Sequence, residues 1–222
     1  DHAFLYDGSG IHDLGTLGVG GPDSYALGIN DSGQIVGASG ALAFLYDGTG
    51  MHNIGDGQAN AINNAGQIVG TSGSGAFLYD NTGLHALGDL GGGWGGATGI
   101  NSSGQIVGFS NTADGATHAV AYDGASPRDL GDFGGSYSQA TGINNAGLIV
   151  GVSSTADGEP RAFLYDSTGL HDLGDGQANG INSAGQIVGS SDASGAFLYS
   201  NGAMVDLNTL IDPSLGWYLD SA

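Results

Sequence analysis

The chain has 222 residues and carries 2 basic against 22 acidic side chains, which gives a formal net charge of −20. Binding to phosphate backbones needs clustered Lys and Arg, so this composition argues against nucleic acid and anionic membrane surfaces as partners. The chain contains no cysteine for a disulfide framework. It also lacks a run of about 18 apolar residues, so the sequence predicts no membrane insertion.

Glycine supplies 46 residues, and Glu159 is the only glutamate among the 22 acidic side chains. Aspartate favours turns through its short hydrogen-bonding side chain, whereas glutamate favours helices. The apolar fraction of 40% is ordinary for a folded domain. We therefore expect one turn-rich, all-β repeat domain over residues 1–222.

Two phrases alternate along the chain. The first begins as "AFLYDGSGIHDLG" at Ala3 and returns in five variants, and the second is "INDSGQIVG", which first appears around Asn30 and returns four times. Together they give repeats of roughly 40 residues. The predicted repeats cover about 2–42, 43–75, 76–118, 119–161 and 162–195, with a partial repeat over 196–222.

Each phrase predicts a β-hairpin, because Asp or Asn opens its turn and Gly closes it with positive φ. The first repeat then supplies strands A (Ala3–Tyr6), B (Ile11–Leu14), C (Ala26–Ile29) and D (Gln34–Gly37), which we expect to form one blade. Four short antiparallel strands in each repeat of about 40 residues are typical of a β-propeller. With a further strand at "GWYLD", the count favours six four-stranded blades with the last incomplete. The alternatives are a five-bladed propeller and a β-solenoid.

The phrases "HAFLYD", "DLGTLG" and "AINNAGQIVG" resemble the HAF repeat family of extracellular bacterial proteins, which is named for its His-Ala-Phe triplet. The resemblance covers the whole chain, although the full triplet occurs only at His2–Phe4. It implies a secreted or surface-exposed repeat domain and brings no catalytic residues with it. In the other copies the triplet's histidine is replaced by Leu42, Gly75, Arg161 and Gly195. His118 keeps the histidine, but the phrase that follows it is "AVAYD".

Two polar residue types recur at equivalent positions. The asparagines are Asn30, Asn63, Asn101, Asn144 and Asn182, and the histidines of strand B are His12, His52, His85 and His171, replaced elsewhere by Arg128 and Val205. The amides could bind a ligand once per blade, but a turn-opening bond to the backbone two residues on is the simpler interpretation. Equivalent histidines on separate blades diverge, so we expect surface or inter-blade hydrogen bonds and no zinc site.

The sequence predicts no cofactor and no catalytic activity. Asp-rich turns such as "DGSG" and "TADG" leave a weak calcium ion at a loop as an alternative. A solvated acidic surface is the simpler interpretation of these turns. No hydrolase motif supplies a nucleophile or a metal, which favours a non-enzymatic protein.

The connections B–C and D–A vary between repeats, and binding residues concentrate on variable loops held by a rigid scaffold. The longest of these loops belong to repeats three and four and place aromatic beside charged side chains, with Glu159 among them. Alternatively, Trp94 and Phe133 pack under their own loops as local core. The candidate ligand-binding residues are Trp94, Phe133, Tyr137, Asp114, His118, Asp157 and Arg161.

These observations predict an extracellular binding or scaffolding propeller that contacts proteins, including copies of itself, through the variable loops. Carbohydrate recognition by the aromatic and acidic loops is the first alternative. The second is an enzyme acting on polysaccharides, with Asp89, Asp132 and Asp175 converging at the axial mouth. Capping of loop turns is the simpler role for these three acids.

Overall fold

The computed structural model describes residues 1–192 and 195–222, and they form an all-β protein. The described residues contain 22 β-strands and two short 3-10 helices, Leu207–Leu210 and Pro213–Leu215. The strands make one two-stranded half-sheet and five four-stranded antiparallel units, called sheets 1 to 5, in which neighbouring strands follow chain order. A single parallel pair, Thr117 with Tyr137, joins sheets 3 and 4 into one eight-stranded sheet. Among the residues that the structure describes, no helix has the length and apolar character needed to cross a bilayer.

The half-sheet consists of β1 (Ala3–Tyr6) and β2 (Ile11–Gly15). Sheet 1 contains β3 (Ser24–Ile29), β4 (Ile35–Ser39), β5 (Leu42–Tyr46) and β6 (Met51–Asp56). Sheet 2 contains β7 (Gln58–Ile62), β8 (Ile68–Ser72), β9 (Gly75–Asp80) and β10 (Gly83–Ala86). Sheet 3 contains β11 (Gly91–Ile100), β12 (Ile106–Thr112), β13 (Thr117–Asp123) and β14 (Ser126–Asp129). Sheet 4 contains β15 (Gly134–Ile143), β16 (Ile149–Thr155), β17 (Pro160–Asp166) and β18 (Gly169–Asp175). Sheet 5 contains β19 (Gln177–Ile181), β20 (Ile187–Ser191), β21 (Gly195–Ser200) and β22 (Ala203–Asp206).

Each four-stranded sheet combines strands of two neighbouring repeats. In sheet 1, β3 and β4 are strands C and D of the first repeat, whereas β5 and β6 are strands A and B of the second. The expectation that strands A to D of one repeat form a blade is therefore wrong. The hairpins A–B and C–D themselves are confirmed. Strand D pairs with the following strand A through a tight turn that places Ser39 opposite Leu42.

The ends of the chain also differ from the expectation. The incomplete unit is the half-sheet at the beginning, and the last sheet has all four strands. Residues 216–222 are described and carry no strand, so the strand predicted at "GWYLD" is wrong. Strand A has the predicted bounds, while B, C and D differ by one or two residues at their ends.

The recurring asparagine opens its turn as expected. The Asn30 Oδ1 atom accepts hydrogen bonds from the backbone N–H groups of Ser32 at 3.1 Å and Gln34 at 3.0 Å. The N–H of Gly33 donates to the Asn30 carbonyl at 3.0 Å. Gly33 has φ +76°, a conformation that glycine adopts without a steric cost. The same bonds recur at the other four asparagines, so this phrase fixes one hairpin turn in every sheet.

The hydrophobic core is divided into clusters that lie between consecutive sheets. One cluster joins Val36 and Ala43 of sheet 1 to Ile62 and Phe77 of sheet 2. Equivalent clusters join the half-sheet to sheet 1, sheets 2 and 3, sheets 3 and 4, and sheets 4 and 5. The first strand of each of sheets 2 to 5 packs against the first two strands of the preceding sheet, and β3 packs against β1. We call these first strands, β3, β7, β11, β15 and β19, the inner strands.

Glycine in strand D is required for this packing. A Cβ atom at Gly151 would lie 2.0 Å from the Gln139 carbonyl oxygen and 2.8 Å from the Phe163 ring. Phe163 is fully buried, because its ring occupies the space that a side chain at position 151 would take. The motif "IVG" therefore couples a glycine in strand D to a buried aromatic ring in the adjacent strand A.

Candidate functional site

The antiparallel order gives the sheets two chemically different faces. The C–D and A–B turns lie on one face, which we call the repeat face. The D–A turns and the connections between sheets lie on the opposite face, which we call the variable face. These positions follow from the alternation of strand direction within each sheet.

An asparagine ladder joins the sheets on the repeat face. The Nδ2 groups of the first four recurring asparagines each donate at 3.1 Å to the backbone carbonyl of the equivalent asparagine in the next sheet. The ladder runs through Asn30, Asn63, Asn101, Asn144 and Asn182. The first four residues are buried, whereas Asn182 is exposed. The amides of the first four asparagines are thus occupied inside the protein, as buried polar groups require, and are not offered to a ligand.

The strand B histidines lie on the same face and are bound to their own hairpins. The Nε2 atom of His52 is 3.1 Å from Asp47 Oδ1, which also accepts a bond from the Thr49 hydroxyl at 2.7 Å. The Thr49 hydroxyl, its backbone N–H and His52 lower the pKa of Asp47 to about 2. The hairpins carrying His12, His85 and His171 repeat the arrangement. The expected surface hydrogen bonding is confirmed, and the bonds lie within one hairpin.

The variable face contains an open cavity of about 910 Å³ where inner strands of four sheets meet. Inner-strand residues lining it are Leu27, Gln58, Asn60, Thr98 and Gln139. Residues of strand D, of D–A turns and of a connection between sheets complete the lining, including Thr71, Phe109, Gly40 and Gly57. Asp56 is the only charged residue among those that line the cavity. The lining therefore offers amides, hydroxyls and one aromatic ring in a nearly neutral environment.

Polar side chains of the inner strands form a second set of inter-sheet bonds beside this cavity. Asn60 Nδ2 donates to the Ala97 carbonyl at 2.7 Å, and Thr98 Oγ1 donates to the Ala140 carbonyl at 2.7 Å. Thr141 and Asn179 repeat the contact towards Ala178 and Ala222. The bonds of Asn60 and Thr98 hold β7, β11 and β15 against one another, whereas Leu27 of β3 has an apolar side chain at this position. In the sequence, Asn60 and Thr98 each stand two positions before an "IN" dipeptide. A polar residue recurs at this position in every copy except at Leu27, and this recurrence was the sequence signal for the two lining residues.

Two predicted aromatic residues lie next to the cavity. The ring of Trp94 packs against Phe109, which lines the cavity, with the ring centroids 5.2 Å apart. The Tyr137 hydroxyl donates to Oε1 of the lining residue Gln139 at 2.5 Å. Both aromatic side chains are 41% exposed. Burial of the Tyr137 ring raises the pKa of its hydroxyl, so this group remains a donor at neutral pH.

The other predicted site residues lie apart from the residues that line the cavity. Phe133 is half-buried and packs against the core shared by sheets 3 and 4, as the local-core interpretation expected. Asp157 is exposed in the turn between β16 and β17. Asp114 accepts a bond from the Thr112 hydroxyl, the main cause of its lowered pKa. A contact of these residues with a ligand stays a prediction.

His118 and Arg161 are paired with acidic residues of the protein. His118 lies 2.8 Å from Asp129 through Nδ1 and 3.1 Å from Asp132 through Nε2. Arg161 binds Asp172 at 2.9 Å and also contacts Asp175.

The first repeat has the equivalent pair His2–Asp13 at 2.8 Å. Where Leu42 or Gly75 replaces the basic residue, Asn53 or Ala86 replaces Asp in strand B. In sheet 5, by contrast, Gly195 replaces the basic residue while Asp206 keeps the acid, so the compensation is partial. This partial compensation was the sequence signal for an intramolecular ion pair.

The three aspartates suggested for the axial mouth have separate partners. Asp89 accepts bonds from the N–H groups of Gly91 and Gly93 at 2.6 and 2.9 Å. Asp132 lies against His118, and Asp175 against Arg161. Within residues 1–192 and 195–222, no three His, Asp or Glu side chains are grouped so as to hold a metal ion. A weak calcium ion therefore stays a prediction without an identified ligand set.

The fold and the cavity define an all-β protein of repeated four-stranded antiparallel sheets with an open, polar cavity on its variable face. No protein-family model matches the chain, and no curated protein has detectable sequence similarity to it. The resemblance to the HAF repeat family therefore stays a prediction.

Proposed function

We propose that the protein is an extracellular, non-enzymatic binding module built on a β-propeller scaffold. The propeller arrangement is supported by inner strands of four sheets that line one cavity. It is also supported by hydrophobic clusters that lie only between consecutive sheets in the described chain. The extracellular location depends on the resemblance to the HAF repeat family. Its test is fractionation of the producing cells, in which a cytoplasmic location would contradict it.

The observation that carries the binding proposal is the cavity on the variable face. Its volume of about 910 Å³ lies in the range of small-molecule sites, which is roughly 300–1,000 Å³. The amides of Gln58 and Gln139 and the hydroxyl of Thr71 can exchange hydrogen bonds with a polar, uncharged ligand. Phe109 and the neighbouring Trp94 provide an apolar surface for the face of a sugar ring. A short neutral oligosaccharide is the ligand class that fits this lining best.

The test is a glycan array followed by titration calorimetry on the best ligand. We expect Trp94→Ala and Gln139→Ala each to weaken binding about tenfold, equivalent to about 1.4 kcal/mol. Trp217→Ala is the matched control, because Trp217 is 73% exposed and does not line the cavity. Absence of any glycan ligand, or equal losses in all three variants, would contradict the proposal. Turnover of a bound polysaccharide that Asp89→Asn abolishes would instead support the enzyme alternative.

Scaffolding by protein contact is the second candidate function. It is favoured by the half-sheet, which exposes large apolar side chains such as Tyr6 and Ile11 at 65% and 73%. Exposed strand edges of this kind can pair with another chain. Pull-down with the protein and with a Tyr6→Ser, Ile11→Ser variant would test this function. Equal partner recovery by the two proteins would exclude the half-sheet as the contact surface.

A further inference from the structure

A second cavity lies on the repeat face, between sheets 2 and 3. Its volume is about 380 Å³, and we call it the repeat-face cavity. Asp80, Thr82 and His85 of the A–B hairpin of sheet 2 line one side of it. Gly104 in the C–D turn of sheet 3 and Tyr122 in strand A of the same sheet line the other side. The cavity therefore lies at a junction between two sheets that both have all four strands.

The hydroxyl group of Tyr122 has no hydrogen-bond partner at this junction. Tyr122 is 7% exposed, and its hydroxyl is the one buried side-chain polar atom without a partner among the residues that the structure describes. Burial, with a further contribution from the charge of Asp89, raises the pKa of this hydroxyl to about 12. Buried polar groups in proteins are almost always hydrogen-bonded. An unpartnered hydroxyl on a residue of the cavity wall therefore indicates that a partner is missing.

The next junction shows which group fits this position. Between sheets 3 and 4, Arg128 of strand B donates from its Nη1 atom to the Tyr165 hydroxyl at 2.7 Å. Its guanidinium carbon also lies 5.4 Å from the centre of the Tyr165 ring, within the range of a cation–π contact. Arg128 and Tyr165 occupy the repeat positions of His85 and Tyr122. At this position of the repeat, the partner of the tyrosine is thus a guanidinium group.

His85 does not provide that partner, because its side chain is bound to its own hairpin. The His85 Nε2 atom lies 2.7 Å from the Thr82 hydroxyl and 3.2 Å from Asp80 Oδ1. The hydroxyl and backbone N–H of Thr82 lower the pKa of Asp80, so its carboxylate is charged at neutral pH. Neither arginine of the protein lines the cavity. The cavity therefore combines a carboxylate, an aromatic residue and an unpartnered hydroxyl without a basic group at the position of Arg128.

We propose that the repeat-face cavity binds a guanidinium group, held between the Asp80 carboxylate and the ring and hydroxyl of Tyr122. A guanidinium group has several N–H donors, so it can bond to a carboxylate and to the tyrosine oxygen together. It is planar and stacks on aromatic faces. The net charge of −20 attracts cations to the protein as a whole. The site lies on the opposite face from the cavity of the variable face and does not depend on its ligand.

The test titrates N-acetyl-arginine amide into the intact protein and follows the imidazole NMR signals of His85 and His52. The control compound is N-acetyl-citrulline amide, which has the same shape and no charge. We expect the arginine compound to shift the signals of His85 and leave those of His52 unchanged. The citrulline compound should bind at least tenfold more weakly, because it cannot form the charged contact with Asp80.

Free arginine, titrated in parallel, distinguishes the two sources of a guanidinium group. Equal or weaker binding of free arginine would favour an arginine side chain of a polypeptide. Tighter binding would favour the free amino acid. Both results agree with a guanidinium site.

His85→Arg tests the site from within the protein. The new guanidinium group should reach Tyr122 as Arg128 reaches Tyr165, occupy the cavity and abolish binding of N-acetyl-arginine amide. His52→Arg makes the same change in the equivalent hairpin of sheet 1, which does not line the cavity, and should leave binding unchanged.

Two further variants remove single contacts. Tyr122→Phe deletes the hydroxyl and keeps the ring, and Asp80→Asn removes the charge, so each should weaken binding about tenfold. Tyr79→Phe and Asp47→Asn make the same changes at residues that do not line the cavity and should have no effect. Tyr122→Phe removes an unpartnered hydroxyl and should not lower the melting temperature. Failure of the arginine compound to bind, equal binding of the citrulline compound, or unchanged binding in His85→Arg would overturn the proposal.

Discussion

The side-chain amide of Asn101 donates to the backbone carbonyl of Asn144 at 3.1 Å, across 43 residues of sequence. The same side chain uses its Oδ1 atom to accept from the N–H groups of Ser103 and Gln105 in its own turn. One asparagine therefore closes a local hairpin and connects two sheets. The conformation of the turn and the spacing of the sheets depend on each other through this residue.

Asn101→Ala and Asn182→Ala separate these two roles. Both substitutions remove the side-chain oxygen that accepts the bonds of the turn. Of the two residues, Asn101 also donates to the equivalent asparagine of the next sheet, whereas the Asn182 amide donates to Gln186 in its own turn. We expect Asn101→Ala to lower the free energy of unfolding by about 1 kcal/mol more than Asn182→Ala, the typical contribution of one hydrogen bond. Denaturant unfolding measures the difference. Equal losses would mean that the inter-sheet bond adds no stability.

Gly151→Ala tests the coupling between strand D and the buried phenylalanine. The added Cβ atom would overlap the Gln139 carbonyl at 2.0 Å, and the backbone cannot move without disturbing Phe163. We expect a loss of about 3 kcal/mol in the free energy of unfolding, at the upper end for overpacking. Gly73→Ala is the control, since a Cβ atom there meets nothing within 4 Å and φ is not positive. A loss below about 1 kcal/mol at Gly151 would contradict this account.

The carboxyl group of Asp47 should titrate with a midpoint of about 2, mainly because the Thr49 hydroxyl stabilises the charged form and so lowers its pKa. A lowered pKa in the folded state stabilises the protein above the unfolded-state pKa of about 4. This contribution is lost as the pH falls from about 4 towards 2. Carbon NMR of the carboxyl group measures the midpoint. Thr49→Val should move it back towards 3.8, and an unchanged midpoint in that variant would exclude the hydroxyl as the cause.

The ion pair between Arg161 and Asp172 should be weak and sensitive to salt. The guanidinium side chain is 29% exposed and the carboxylate 43%, and pairs this accessible contribute up to about 1 kcal/mol. A double-mutant cycle with Arg161→Met and Asp172→Asn measures the coupling free energy. We expect the coupling to shrink between low salt and about 1 M salt, where the screening length falls to about 3 Å. A coupling that salt does not change would show that packing, not charge, joins the two residues.

The sequence was sufficient to predict the hairpins but not how they combine into sheets. Turns such as the one opened by Asn30 are local, so residues a few positions apart encode them. The pairing of strand D with the next strand A is also made through a short turn, so the choice of sheet lies between two short connections. The connection from D to A at Gly40 is very short, but so is the connection from B to C at Gly57, which joins different sheets. Loop length alone therefore could not choose between the two groupings.

The candidate site was predicted only in part for a similar reason. Variation between repeats pointed to Trp94 and Tyr137, which lie beside the cavity. It did not point to Asn60 or Thr98, because they belong to the regular inner strands. Arg161 was selected for its charge, although that charge is used inside the protein against Asp172. Variable position and charge identify candidates, and only the three-dimensional arrangement separates ligand contacts from internal pairs.

The composition of each sheet from two adjacent repeats has an evolutionary consequence. Deleting or duplicating one whole repeat in the gene would leave every junction with a C–D hairpin from one repeat and an A–B hairpin from the next. The protein would lose or gain one sheet while each junction keeps the same type of asparagine bond and hydrophobic cluster. Recombination between similar repeats can therefore change the length of this protein in single steps without requiring compensating point mutations.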